Sequence, residues 1–107
     1  IVGTQYWGFF GTGWSGAEAN IEQVLAVGGT AQNLYVQLNG GAGSGTFTFT
    51  VYRNGAATGI TCAISGSSAC SDTTNSQVFS PGDRISMRVS TSGLLNLRTA
   101  SWSLQYR

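Results

Sequence analysis

Residues 46–53 alternate threonine with large apolar side chains: Phe47, Phe49 and Val51 fall on one side, and Thr46, Thr48 and Thr50 on the other. A two-residue period puts successive side chains on opposite faces of an extended chain, so such a segment buries one face and wets the other. The pattern recurs. Ile85, Met87 and Val89 alternate with Arg84, Ser86, Arg88 and Ser90. Leu34, Val36 and Leu38 alternate with Tyr35 and Gln37. Ile60, Cys62 and Ile64 share a face within 58–65, and Ala100, Trp102, Leu104 and Tyr106 share one at the C-terminal end. One-sided strands of this kind belong to antiparallel sheets.

Turn signals fall between these segments. Asn54-Gly55 joins two strands as a tight hairpin. Gly28-Gly29 and Gly66-Ser67-Ser68 interrupt the alternation, and Pro81-Gly82-Asp83 fixes a turn before the strand at 84–91, with Asp83 capping backbone amides. The single proline lies outside every strand, as ladder hydrogen bonding requires. The run 40–45 is a flexible inter-strand loop. Residues 5–10 and 76–80 add shorter strands. Residues 17–27 hold good helix formers, yet Ile21, Gln23, Leu25 and Val27 also share a face by alternation. A strand over 21–27 agrees better with its neighbours. The expectation is an all-β fold: a two-sheet antiparallel β-sandwich, jelly-roll-like, of about eight strands. One domain spans 1–107, and 1–16 forms an aromatic interface segment.

Composition narrows the function. Charged residues make up 8% of the chain, against about 25% in an average domain. A surface of Ser, Thr, Asn, Gln and Gly suits a protein seated against neighbours or placed outside the cell. The net charge is +1, and the five arginines are scattered, so no basic stripe for nucleic acid exists. No run approaches the roughly 18 apolar residues of a membrane helix. Residue 1 is Ile, which points to a processed product or a piece of a longer chain.

The chain has no histidine, which removes Ser-His-Asp and Cys-His catalysis and His-ligated metals. Only Glu18, Glu22, Asp72 and Asp83 are acidic, and the two oxygen ligands Asp72 and Asn75 fall short of what calcium takes. The expectation is a non-enzyme with no cofactor. Cys62 and Cys70, eight positions apart, fit a local disulfide between neighbouring strands, with two buried thiols as the alternative.

Tyr6, Trp7, Phe9, Phe10 and Trp14 crowd the first fourteen residues. Exposed together on a monomer they would form a large apolar patch, so they are expected at a subunit interface. Trp7, Trp14, Trp102, Tyr6, Tyr35 and Tyr52, where exposed, could instead stack on sugar rings, with Trp102 in the core as the alternative.

Taken in order, Gly29-Thr30, Asn33-Leu34-Tyr35-Val36, the Gly-rich loop, Phe47-Thr48-Phe49, Arg53-Asn54-Gly55, Thr61-Cys62, 72–76, 82–86 and Trp102-Ser103-Leu104 resemble a family of small phage-virion and fibre-associated domains. These are similar to jelly-roll heads of the C1q and tumour-necrosis-factor type. The resemblance covers roughly 21–106. It implies a structural virion protein, either capsid decoration (cement) or a tail-fibre domain, acting by subunit packing. Its partners would be copies of itself, with a trimer favoured, and other virion proteins. The implied location is the virion or the extracellular space. A carbohydrate-binding or adhesin module is the alternative.

Overall fold

The computed structural model describes residues 5–7, 14–15, 23–40, 45–92 and 100–107, with backbone alone for 5–7, 14–15 and 100. They form nine strands: β1 (Gln5–Trp7), β2 (Trp14–Ser15), β3 (Gln23–Val24), β4 (Gly29–Leu38), β5 (Thr46–Arg53), β6 (Ala56–Ser65), β7 (Ala69–Phe79), β8 (Arg84–Ser92) and β9 (Ala100–Tyr106). All pairings are antiparallel. One sheet runs β2-β1-β8-β5-β6, with β3 also on β8, and the second runs β7-β4-β9. The pairs β4·β9 and β5·β8 nest around the β6–β7 connection, as in a rolled-up hairpin. The expected all-β sandwich is the architecture observed.

The core lies between the sheets. Phe47, Phe49, Val51, Ile60, Ile64, Met87 and Val89 face it from the larger sheet, and Leu34, Val36, Leu38 and Phe79 from the smaller. Trp102, Leu104 and Tyr106 are half-buried against it. The alternation in β5, β6 and β8 therefore sorts apolar from polar as read from the sequence, with one exception. Ser86, expected to face water, is buried. It lies opposite Tyr52 in the register, on the part of β8 that β3 also flanks.

The turns follow their residues. Asn54 and Gly55 both adopt positive φ, at 51° and 82°, the combination that a two-residue type I′ hairpin requires. Asp83 N–H donates to Ser80 O at 3.0 Å and Gly82 has φ 88°, so 80–83 is a type II turn with proline and glycine in their preferred places. Asp83 is more than a cap. Its carboxylate accepts from Ser80 N, Asn54 Nδ2 and Arg53 Nε, which ties this turn to the β5–β6 hairpin.

Three expectations need correction. The strand placed over 21–27 is observed only at Gln23–Val24, and residues 21–22 lie outside the described ones. Beyond Val24 the backbone turns to a different partner: Leu25 N–H donates to Asp83 O, and Leu25 O accepts from Gly82 N–H. Leu25 is buried while Val27 is exposed, so the shared face is lost. The strand placed at 76–80 is the end of a longer one, β7, beginning at Ala69. The Gly28-Gly29 break is also the start of a strand. Gly29 opens β4 because the Tyr106 ring lies over it, and a Cβ there would sit 2.8 Å from Tyr106 Cζ.

The expected disulfide between neighbouring strands forms, and it joins the two sheets. Cys62 lies on β6, at the edge of the larger sheet, and Cys70 on β7, at the edge of the smaller. Asp72 reinforces the same seam. Its carboxylate is buried and accepts from Thr61 N–H across the seam and from Thr74 N–H, Asn75 N–H and Asn75 Nδ2 on its own strand. It is therefore a turn-former inside a strand, with its oxygens already taken up by N–H donors. Burial alone would raise its pKa, but these four hydrogen bonds outweigh that and lower it to about 2.

Two predictions follow from the seam. A carboxylate whose pKa is depressed in the folded state stabilises the fold above its unfolded value, near pH 4, and that contribution disappears as pH falls toward 2. Asp72→Asn is expected to cost about 2 kcal/mol at pH 7 and to flatten the pH 2–4 limb of the stability curve relative to wild type. Denaturant melts across that range measure it. An unchanged limb would show the carboxylate is not the group responsible. Replacing both cysteines by alanine is expected to cost about 2–3 kcal/mol, the loop-closure value for so short a ring. Urea unfolding of the two proteins compares them directly.

Candidate binding surface

The smaller sheet presents an outer face built around one aromatic residue. β4 is its central strand, so β7 and β9 lie on either side. Alternation sends Leu34, Val36 and Leu38 inward and leaves Tyr35 and Gln37 outside. Tyr35 is 52% exposed. In the register it lies between Ser71 on β7 and Ser103 on β9. Gln37 lies between Ala69 and Ser101 in the same way. Small neighbours on both sides leave the Tyr35 ring standing above the sheet.

A shallow depression lies on each side of that ring. One, of about 520 Å3, is bordered by the Gln37, Ala69, Ser71, Ser101 and Ser103 row. Its lining residues come from β4, β7 and β9; Val36, Cys70 and Trp102 among them face the core, and Tyr35, Gln37, Ser71, Ser101 and Ser103 face outward. The second, of about 650 Å3, is bordered by Asn33, Thr73, Ser103, Leu104 and Gln105. Tyr35 and Ser103 border both. None of the described lining residues carries a charge.

The second depression is pre-shaped by a bulge. The ladder slips between Gln32 and Leu34, and Asn33 takes a positive φ of 57°. Asparagine tolerates that conformation better than most residues. Asn33 Nδ2 then donates to Gln105 Oε1 at 2.6 Å, fixing one carboxamide against another. The face offers hydroxyls, carboxamides and one aromatic ring. Such groups bind and orient a neutral ligand.

The N-terminal aromatic residues divide. Tyr6 and Trp7 lie on β1, and Trp14 on β2. The register sets Trp7 opposite both Trp14 and Met87, and Tyr6 opposite Ser15 and Arg88. Phe9, Phe10, Glu18 and Glu22 lie outside the described residues. Tyr52, on the outer face of the larger sheet, is half-buried; its hydroxyl accepts from Arg88 Nη1 at 2.7 Å, and the guanidinium lies 5.9 Å from its ring centre. That ring is engaged with its own sheet, whereas Tyr35 is not covered in this way.

Sequence periodicity places Tyr35 on the outside but does not single it out. Its flanking serines come from strands remote in the chain, and only the register brings them together. Comparison of the chain with known protein families, with curated proteins and with solved structures finds no match in any of the three.

Proposed function

We propose that this domain is a structural part of a larger assembly, of the virion-decoration or tail-fibre kind, and acts by packing against copies of itself. The observation that carries this reading is a set of large β-branched side chains left exposed in the two segments that lead into the 80–83 turn. Val24, Val27 and Val78 are 60%, 68% and 63% exposed. The segment holding Val24 and Val27 is bound to the 80–83 turn through Leu25, Gly82 and Asp83, and Val78 enters that turn from β7. Pro81 is exposed beside them. The register sets Val24 beside Arg84 on the larger sheet and Val78 beside Thr30 on the smaller, so apolar surface stands in water on both layers, and a packing partner would cover it. The low overall charge supports the same reading, because subunits can approach without desolvating ions.

The trimer and the virion setting come from the sequence resemblance, whereas the proposed role of Tyr6, Trp7, Phe9, Phe10 and Trp14 as further contacts comes from their crowding in the first fourteen residues. The mass of the purified chain in solution tests the reading. A trimer, reduced to monomer by Val27→Asp or Val78→Asp with the far-ultraviolet spectrum unchanged, is the expected result. A monomer at every concentration would count against packing as the function. Trp7→Ala tests the aromatic segment separately: weaker assembly with an intact sandwich supports a contact there, and loss of the fold assigns Trp7 to the core.

A further inference from the structure

We infer that the outer face of the β7-β4-β9 sheet is a binding site for a neutral glycan, with Tyr35 as the platform on which one pyranose ring stacks. This goes beyond the packing reading and does not depend on it, since it rests on Tyr35 and its polar neighbours and not on the exposed valines.

The side chains of this face set what it can recognise. A pyranose has C–H groups on its faces and hydroxyls around its rim. An aromatic ring with a negative π-face attracts the C–H groups, and the rim needs uncharged donors and acceptors. Tyr35 supplies the ring. Ser71, Ser103, Gln37, Asn33, Thr73 and Gln105 supply hydroxyls and carboxamides on both sides of it. The two depressions, about 520 and 650 Å3, are shallow and open and meet at Tyr35, so a ligand would lie across the ring rather than inside a cavity. A chain of sugars can therefore cross the ring with a unit in each depression.

Other ligand classes fit worse. An anionic ligand would find no cation among the described lining residues. An extended peptide adds to a free sheet edge, and β4 already pairs with a strand on each side. The contrast with the larger sheet is informative. There the outward positions of β5 are Thr46, Thr48 and Thr50, and the Thr50 hydroxyl lies 3.0 Å from that of Thr61. Threonine serves a wet strand position well. Tyr35 instead leaves half of a large ring in water between two serines. The Asn33–Gln105 bond holds two polar groups in place before any ligand arrives, which lowers the ordering cost of binding.

An array of immobilised oligosaccharides with neutral, sialylated and sulfated members tests the inference on the intact chain. The strongest neutral ligand is then titrated by NMR. Neutral glycans are expected to bind, with saturation transfer to sugar ring C–H protons. Affinity should fall about tenfold or more in Tyr35→Ala and persist in Tyr35→Trp. Ser103→Glu, which places a charge beside the ring, should abolish binding with the thermal midpoint preserved. Val27→Asp, outside the strands of this face, should leave the affinity unchanged, so loss of assembly and loss of binding are read separately. Absence of any neutral ligand, binding that survives Tyr35→Ala, or a preference for acidic glycans would overturn the site.

Discussion

The sandwich depends on burying one face of each sheet against the other. Phe47, Phe49 and Val51 from one side, and Leu34, Val36 and Leu38 from the other, are almost completely removed from water. At roughly 1.5–3 kcal/mol for each large apolar side chain, this contact is the principal favourable term for a chain of 107 residues. It also frees the outer faces. Because the core draws on every second residue only, the intervening positions can be chosen for what they present to a neighbour. The chain uses them mainly for threonine, serine and glutamine, with an exposed tyrosine on β4 and the arginines Arg84 and Arg88 on β8.

Two stacked sheets leave edges, and edges invite unwanted pairing. At the β6–β7 seam the chain uses covalent and polar closure together. The disulfide holds the two edge strands, and the Asp72 carboxylate takes up the Thr61 N–H that β6 would otherwise present as an edge donor. The opposite end is organised by a different carboxylate. Asp83 gathers Arg53, Asn54 and the backbone of the 80–83 turn around one side chain, so the hairpin and the turn share an anchor. Two of the four acidic residues in the chain thus serve as structural acceptors.

Much of this was legible in the sequence where burial is one-sided and local. β5 and β8 read correctly because an apolar residue occupies every second position, and the Asn54-Gly55 hairpin because few residues adopt two consecutive positive φ angles. The first half of β7 was not legible. Between Cys70 and Gln77 its inward position is Asp72, which replaces apolar burial with hydrogen bonds, so periodicity gives no signal. The segment 21–27 misled for the opposite reason: its apolar spacing suits a strand, but Leu25 bonds to the 80–83 turn, and no local pattern encodes that partner. The Tyr35 face lies beyond sequence reading altogether, because it exists only once β7 and β9 take their registers on β4. Cysteine spacing allowed a bridge, but only the three-dimensional winding places it between layers.

The nested pairing bears on the order in which the chain can assemble. Closing a loop costs entropy that rises slowly with its length, by about 0.6 kcal/mol for each doubling. The β5–β6 hairpin closes over two residues and needs nothing else in place. β5 meets β8 only across a longer excursion, and β4 meets β9 across one longer still. Each outer pairing becomes cheaper once the pair inside it has drawn the ends together. The winding therefore favours growth from the centre outward, with β9 among the last strands to gain by docking. Hence the Tyr35 face, which needs Ser103 and Gln105 of β9, is complete only at the end of folding.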